Sequence, residues 1–327
     1  MSGPVGAVDR TSSVYIAGHR GLVGSALLRK FRAEGFTNIL TRSRDELDLT
    51  DRNATFSFVL AAKPQIVIDA AARVGGIMAN NSYPADFLSE NLQIQINLLD
   101  AALAARVPRL LFLGSSCIYP KFAPQPIKET ALLTGPLEPT NDAYAIAKIA
   151  GIIQVQAVRR QYGLAWISAM PTNLYGPEDN FSPNGSHLLP ALIRRYEAAH
   201  AGGAREVTNW GSGTPRRELL HVDDLASACL YLLEHFDGPE HVNVGTGVDH
   251  TIAEIAELVD LWRNRQRASA SVKRIAQRHV DDLATRIEAM QAMQRSLQAL
   301  LAHCQGDNRP DCPILDDLAG TPAPSCH

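Results

Sequence analysis

The chain lacks an excess of either charge. Its 31 Lys and Arg against 34 Asp and Glu leave a formal net charge of -3 over 327 residues. Bulk charge therefore offers no basic field to grip a phosphate backbone, and nucleic acid is not an expected partner. No apolar run approaches the roughly 20 residues that span a bilayer. The opening MSGPVGAVDRTSS also lacks the apolar stretch of a signal peptide, so residues 1–13 read as a disordered lead-in and the cytoplasm is the expected compartment. Cysteine is scarce and unevenly placed: Cys117 and Cys229 stand in the long first part, and Cys304, Cys312 and Cys326 near the end. Five thiols in a reducing compartment do not make a disulfide framework; the terminal cluster points to metal or redox chemistry. There is no internal repeat.

What is present is an ordinary soluble composition, 46% hydrophobic and 20% charged, with strand-like and helical stretches in alternation. VYIAG (14–18), NILTRS (38–43), QIVIDAA (65–71), RLLFLGSS (109–116), AWISAM (165–170) and HVNVG (241–245) are buried-strand candidates. Helical patterns at 22–33, 85–106 and 143–162 separate them, which predicts an α/β fold with a doubly wound parallel sheet. The Gly-, Pro- and Asn-rich segment 175–220 sits where such an enzyme elaborates a substrate lobe. After residue 258 the texture changes. Between Ser271 and His303 there is no Pro or Gly, and Leu283, Ile287, Met290, Leu297 and Leu301 recur at helical spacings. One long amphipathic helix is expected, its narrow stripe suited to a two-helix seam.

GHRGLVG, Gly18 to Gly24, lies between the first strand and the first helix, the context that makes a glycine-rich loop meaningful. Gly18 permits the tight turn, Gly21 lets the backbone approach a pyrophosphate, and Gly24 allows close helix–strand packing. The N–H groups of the first turn, through Leu22 and Val23, face the phosphates. An acidic residue ending the second strand would favour NAD, but that strand ends in TRSRDEL with Arg42 and Arg44, and Arg20 lies inside the loop. Guanidinium groups pair with a 2′-phosphate, so NADP is the expected cofactor.

YAIAK places Tyr144 and Lys148 on one helix face, where an ammonium can stabilise a phenolate and hold the nicotinamide ribose. GSSCIYP ends a preceding strand and offers Ser115, then Ser116, as the hydroxyl for a substrate carbonyl. With IAGHRGLVGSA, AAARVGGIMANNSYPADF, LEPTNDAYAIAKIAG, MPTNLYGPEDNF and WGSGTPRRELLHVDDLA, residues 14–258 resemble the extended short-chain dehydrogenases/reductases, and among them the GDP-L-fucose synthase family. The resemblance implies 3,5-epimerisation and NADPH-dependent 4-reduction of GDP-4-keto-6-deoxymannose. It gives Tyr144, Lys148 and Ser115 to the reduction. Cys117 and His187 fall to the epimerisation, and Asn173, His187, Arg195, Trp210 and Arg217 to the sugar nucleotide.

That family continues for about 60 residues beyond the TIAEIAE helix, so the substrate lobe here is expected to be truncated. Residues 259–327 instead resemble the C-terminal part of copper-sensing MerR-type regulators, without their DNA-binding head. This resemblance implies an antiparallel dimerisation helix and a homodimer. It also implies a loop, CQGDNRPDC, in which Cys304 and Cys312 hold Cu(I) or another soft monovalent ion, with Cys326 and His327 as auxiliary ligands. Ser269 matches the position that is Ser in monovalent-ion sensors. The alternative function is accordingly a metal-binding, dimerising fusion protein with an impaired reductase domain.

Overall fold

Strict alternation along the strands builds the architecture. Val14 and Ile16 of β1 (Val14–Ala17) face one side, and Tyr15 and Ala17 face the other. Both sides are buried, so each strand is apolar throughout and helices must cover both faces. The computed structural model describes residues 8–260 except 184, 205 and 210, the backbone of 261–263, and separate helical positions between 273 and 298.

Six parallel strands form the main sheet in the order β2-β1-β3-β4-β5-β8. They are β1, β2 (Ile39–Leu40), β3 (Ile66–Asp69), β4 (Arg109–Leu113), β5 (Ala165–Pro171) and β8 (Val242–Val244). Every strand expected from the sequence is in this sheet. The helices α2 (Arg52–Ala62), α4 (Pro84–Ala104) and α5 (Asp142–Tyr162) pack on one face around Leu98, Leu99, Phe112, Ile152 and Trp166. On the other face α1 (Leu22–Ala33) and α7 (Val222–His235) enclose Ile16, Leu27, Phe31, Ile68 and Leu225. Strand order reverses between β1 and β3, and in such sheets the ligand crevice opens beyond the carboxyl ends at that point.

A second, small sheet joins β6 (Asn173–Tyr175), β7 (Arg216–His221) and β9 (Asp249–Thr251) in the order β6-β7-β9. Glu218 of β7 accepts from the Gly247 N–H at 2.6 Å and so clamps the turn that leads from β8 into β9. A third apolar cluster pairs Leu192 of α6 (Leu188–Ala201) with Ile255, Ala256 and Val259 of α8 (Ile252–Arg263). The lobe expected at 175–220 thus also takes in residues 249–259.

Residues 8–13, expected to belong to a disordered lead-in, are packed: Arg10 pairs with Glu234 and lies over the Phe36 ring at 4.7 Å, and Ser12 is buried. A cation–π contact and an ion pair tie down a segment too polar to announce itself in a hydropathy pattern. Among the described residues no helix is long and apolar enough to cross a membrane.

Tertiary contacts separate a first unit, Met1–Asp260, from a second, Leu261–His327. In the second unit the described positions between 273 and 298 are helical and exposed, Val280 and Ile287 included. Leu283, Met290, Leu297, Leu301, Ser269 and the whole Cys304–His327 segment lie outside the described residues.

Arg109 opens β4 with its side chain buried, an unusual place for a guanidinium. It donates to the carbonyls of Leu232, Leu233 and Phe236 at 2.6–3.2 Å and to that of Ala165 at 2.8 Å. Leu233 O belongs to the last turn of α7, where intrahelical donors run out, while Leu232 O also accepts the Phe236 N–H at 3.0 Å. Asp237 balances the charge, held also by Arg159 at 2.7 Å. Arg109→Met is expected to destabilise the chain by about 3 kcal/mol, because several buried carbonyls lose their donor at once. Urea denaturation measures this; a midpoint equal to that of the parent would refute it.

Candidate active site

The turn after β1 sets the floor of the site. Gly18 has φ +76°, and a Cβ there would lie 2.6 Å from the Ala70 carbonyl oxygen at the end of β3. A side chain at Gly24 would come within 2.7 Å of the His19 Cα. Only glycine permits this approach of helix, turn and strand. Gly21 caps α1 with no side-chain hydrogen bond, which leaves the first-turn N–H groups open.

Beyond this turn lies a cavity of about 640 Å³, within the usual range for small-molecule and cofactor sites. Gly18, Gly21, Leu22, Val23, Arg42 and Arg44 line one end; Ser115, Ser116, Tyr144, Lys148, Asn173 and His187 line the rest. Twelve sequence-expected positions, scattered over 170 residues, therefore converge. Gly24 packs behind the turn rather than lining the cavity. Arg20 is exposed and outside the lining. Arg195 on α6 donates to Thr208 O at 3.3 Å and Arg217 on β7 to Arg216 O at 2.7 Å; neither lines the cavity. Trp210 lies outside the described residues.

At the cofactor end Arg42 is held over the Phe58 ring at 5.0 Å, and Arg44 pairs with Glu90 at 3.0 Å. Glu90 also pairs with Arg73 at 2.9 Å. Arg73, Glu90, Asp48 and Asp179 line the cavity without having been singled out. Arg73 stands inside the AAARVGGIMANN run and Asp179 inside MPTNLYGPEDNF; Asp48 and Glu90 had no such signal, because ion pairs between distant segments leave no local pattern.

At the opposite end, Ser115 caps a 3-10 turn, Ser116–Ile118, and its Oγ accepts from the Cys117 N–H at 3.5 Å. Two residues on, the Tyr119 hydroxyl meets His241 Nε2 at 3.0 Å and donates to Asn243, which fastens the turn to β8. Cys117 is partly buried, and desolvation pushes its thiol up to about 11. His187 caps α6, and desolvation lowers its imidazole against the opposing charge of Asp179. The Gly76 N–H donates to Gly185 O at 3.2 Å, and a Cβ on Gly76 would strike Ser186 O at 2.6 Å. This contact sets the loop that carries His187. At neutral pH the thiol keeps its proton and desolvation favours the neutral imidazole, but of the two only His187 lines the cavity; Cys117 lies outside the lining, next to Ser116.

Tyr144 and Lys148 share one face of α5, as their spacing requires. Lys148 is buried, and its Nζ donates to Leu113 O at 2.9 Å and lies 5.9 Å from the centre of the Tyr144 ring. The expected lowering of the phenol is not found: burial and the nearby Cys117 sulfur hold Tyr144 above its ordinary value. One of the three ammonium donors goes to the backbone, and burial keeps the Tyr144 proton in place, so the phenol can act as an acid.

A thiol held at about 11 carries about a hundredfold less thiolate at pH 8 than an unperturbed one. Iodoacetamide labelling of Cys117, followed by peptide mapping, should therefore be slow at pH 8 and accelerate up to about pH 11. Labelling that saturates between pH 8 and 9 would contradict the buried-thiol assignment.

Residues 14–245 match the family model described as "NAD dependent epimerase/dehydratase family", and residues 247–300 match one described as "MerR, DNA binding". The second match runs against the expectation that nucleic acid is no partner. The chain is 61% identical over 252 residues to "Putative GDP-L-fucose synthase 2" of Arabidopsis thaliana, covering 77% of each. It is 53% identical over 255 residues to the GDP-L-fucose synthase of Escherichia coli (strain K12), covering 75% of this chain and 79% of that protein. A solved GDP-L-fucose synthetase from Naegleria fowleri bound to NADP superposes with a TM-score of 0.72 at 26% identity, covering 79% of each chain. With the glycine turn at the reversal of strand order and this degree of identity, the chain belongs to the NAD dependent epimerase/dehydratase family.

Proposed function

We propose that the chain converts GDP-4-keto-6-deoxymannose to GDP-L-fucose by 3,5-epimerisation and NADPH-dependent 4-reduction, in the cytoplasm. The observation that carries this reading is the convergence of Ser115, Tyr144, Lys148, Asn173 and His187 on the one cavity that begins at the Gly18 turn. The residues fit a dinucleotide. The open N–H groups after Gly21 and the close approach at Gly18 suit a pyrophosphate, and Arg42 and Arg44 at the end of β2 suit a 2′-phosphate. When bound, NADPH supplies the hydride delivered to C4.

The protein's part is positioning and proton transfer. Ser115 donates a hydrogen bond to the keto oxygen, and Tyr144, which burial keeps protonated, delivers its proton to O4. Lys148 supplies positive charge beside the phenol as the proton leaves, and holds the ribose. Cys117 and His187 exchange protons at C3 and C5, made acidic by the adjacent ketone. Asn173 contacts the sugar nucleotide from the cavity wall; Arg195 and Arg217 would have to leave Thr208 O and Arg216 O to join it. NADPH oxidation with the keto sugar tests the reading: no turnover together with no NADPH binding would overturn it. Tyr144→Phe should lose at least about 100-fold in hydride transfer and still admit solvent deuterium at C3 and C5, whereas Cys117→Ala should lose the deuterium uptake. Equal loss of both steps in both variants would remove the division of labour.

A second reading applies to the C-terminal segment, supported by the MerR match at 247–300 and the two thiols of CQGDNRPDC. The helix pairs with its twin in a homodimer, and Cys304 and Cys312 bind Cu(I), which prefers two thiolates. Titration against a competing Cu(I) chelator should find one tight site per chain, lost in Cys304→Ser. A site that survives this change would refute the assignment.

A further inference from the structure

Asp69 ends β3 with its side chain only 1% exposed. Alternation places it on the same face as Val67, the face covered by α4 and α5. Its register partner on β4 is Phe112, so the two side chains stand side by side at about the 4.8 Å strand spacing. The Lys148 ammonium lies 4.9 Å from the centre of that Phe112 ring and donates to the carbonyl of the next residue, Leu113. Asp69 Oδ1 accepts from the Ala71 N–H at 3.2 Å; Oδ2 is buried without a hydrogen-bond partner among the described residues. An isolated carboxylate in such a place would be strongly disfavoured, and a nearby cation relieves it.

The groups around this pair are few. Tyr144, one turn earlier on α5, has its ring centre 5.9 Å from the Lys148 ammonium; Cys117 from the 3-10 turn acts electrostatically on Lys148, and Asp69 and Arg42 act on Tyr15 of β1. Burial keeps the thiol and both phenols protonated at neutral pH. Asp69 and Lys148 make no direct ion pair; flanking the Phe112 ring from the neighbouring strand and from α5, they act on each other through space as the buried anion and cation of this region.

We propose that Asp69 is a positioning residue for Lys148, its buried carboxylate holding the ammonium charged and fixed against the Leu113 carbonyl, one helical turn from Tyr144. The proposal rests on the epimerase/reductase reading, in which Lys148 acts as a cation, and adds the group that keeps it one. Burial lowers Lys148 and Asp69 opposes the loss; burial raises Asp69 to about 6 while Lys148 opposes the rise. Above about pH 6 the carboxylate is present and Lys148 retains its proton. Removing the carboxylate lets that proton go at lower pH, so the alkaline limb of the reduction moves down.

In the intact chain, Asp69→Asn should shift the alkaline limb of kcat down by about one to three pH units. NADPH affinity at pH 6 should stay within about twofold. In parallel, the wild-type chain labelled with 13C at lysine Cε is titrated by NMR, with the Lys148 resonance identified by its loss in Lys148→Arg. That resonance should inflect near pH 6 as Asp69 titrates, and the inflection should vanish in Asp69→Asn. An unmoved alkaline limb in a folded Asp69→Asn, or a wild-type resonance with no inflection, would overturn the proposal. The NMR arm needs no substrate. A chain without turnover would therefore sink the proposed reaction while Asp69 was still decided, and an Asp69→Asn that failed to fold would leave the wild-type titration to decide it.

Discussion

Gly18 and Gly24 bring the first turn so close to β3 and to itself that no side chain fits between them, and the rest of the site is laid out from that contact. Because β1 and β3 are adjacent and strand order reverses there, the turn opens onto the carboxyl ends of both strands. The end of β4 lies next along the sheet and carries Ser115 into the same space. α5 packs against β4 and β5 and lowers Lys148 onto Leu113 O. A bulkier turn would lift α1 from the sheet and break the one wall that cofactor-side and chemistry-side residues share.

Burial, more than pairing, then sets the protonation of the chemical groups. Cys117, Tyr144 and Tyr15 are all raised, with desolvation as the leading cause, and His187 is lowered for the same reason. Around the Tyr144–Lys148 turn the thiol and the phenols stay neutral, which leaves Lys148 and Asp69 as the opposed charges there, with Asp179 beside His187. Low dielectric makes the Lys148 and Asp69 charges effective, since an uncompensated charge there is costly and a compensated one is held in place. The cofactor end follows the opposite scheme: Arg42, Arg44, Arg73 and Glu90 are more open, and their charges are shared among several partners.

The main sheet was legible because four of its six strands are largely apolar runs of four to seven residues, with helices of ordinary period between them. Even the two-residue β2 was visible through its neighbours in NILTRS. The small sheet was not: β6 and β9 have three residues each and, unlike VNV of β8, no apolar alternation to mark them. Glycine-loop and YxxxK spacing located Gly18, Tyr144 and Lys148, since a turn or one helical turn fixes such relations locally. Arg195, Arg217 and Arg20 fared differently. Whether a long cationic side chain turns into a cavity depends on its neighbours in space, and Thr208 O and Arg216 O compete for two of them. Asp69 left no sign either, for a single acid at the end of an apolar strand looks like the start of a loop.

Glu218 has a consequence that reaches past the active site. Its carboxylate fastens Gly247 and Thr246, and a side chain on Gly245 would meet that carboxylate as well. The two sheets are thereby joined through a connection of four residues between Val244 and Asp249 that has no slack to extend. Tolerance for insertion must differ sharply along the lobe. The span between Tyr175 and Arg216 can absorb added length in the mostly exposed connection that follows α6, while a single residue inserted at 245–248 would tilt one sheet against the other. Changes in length are thus channelled into the first span, and the second behaves as a fixed hinge pin.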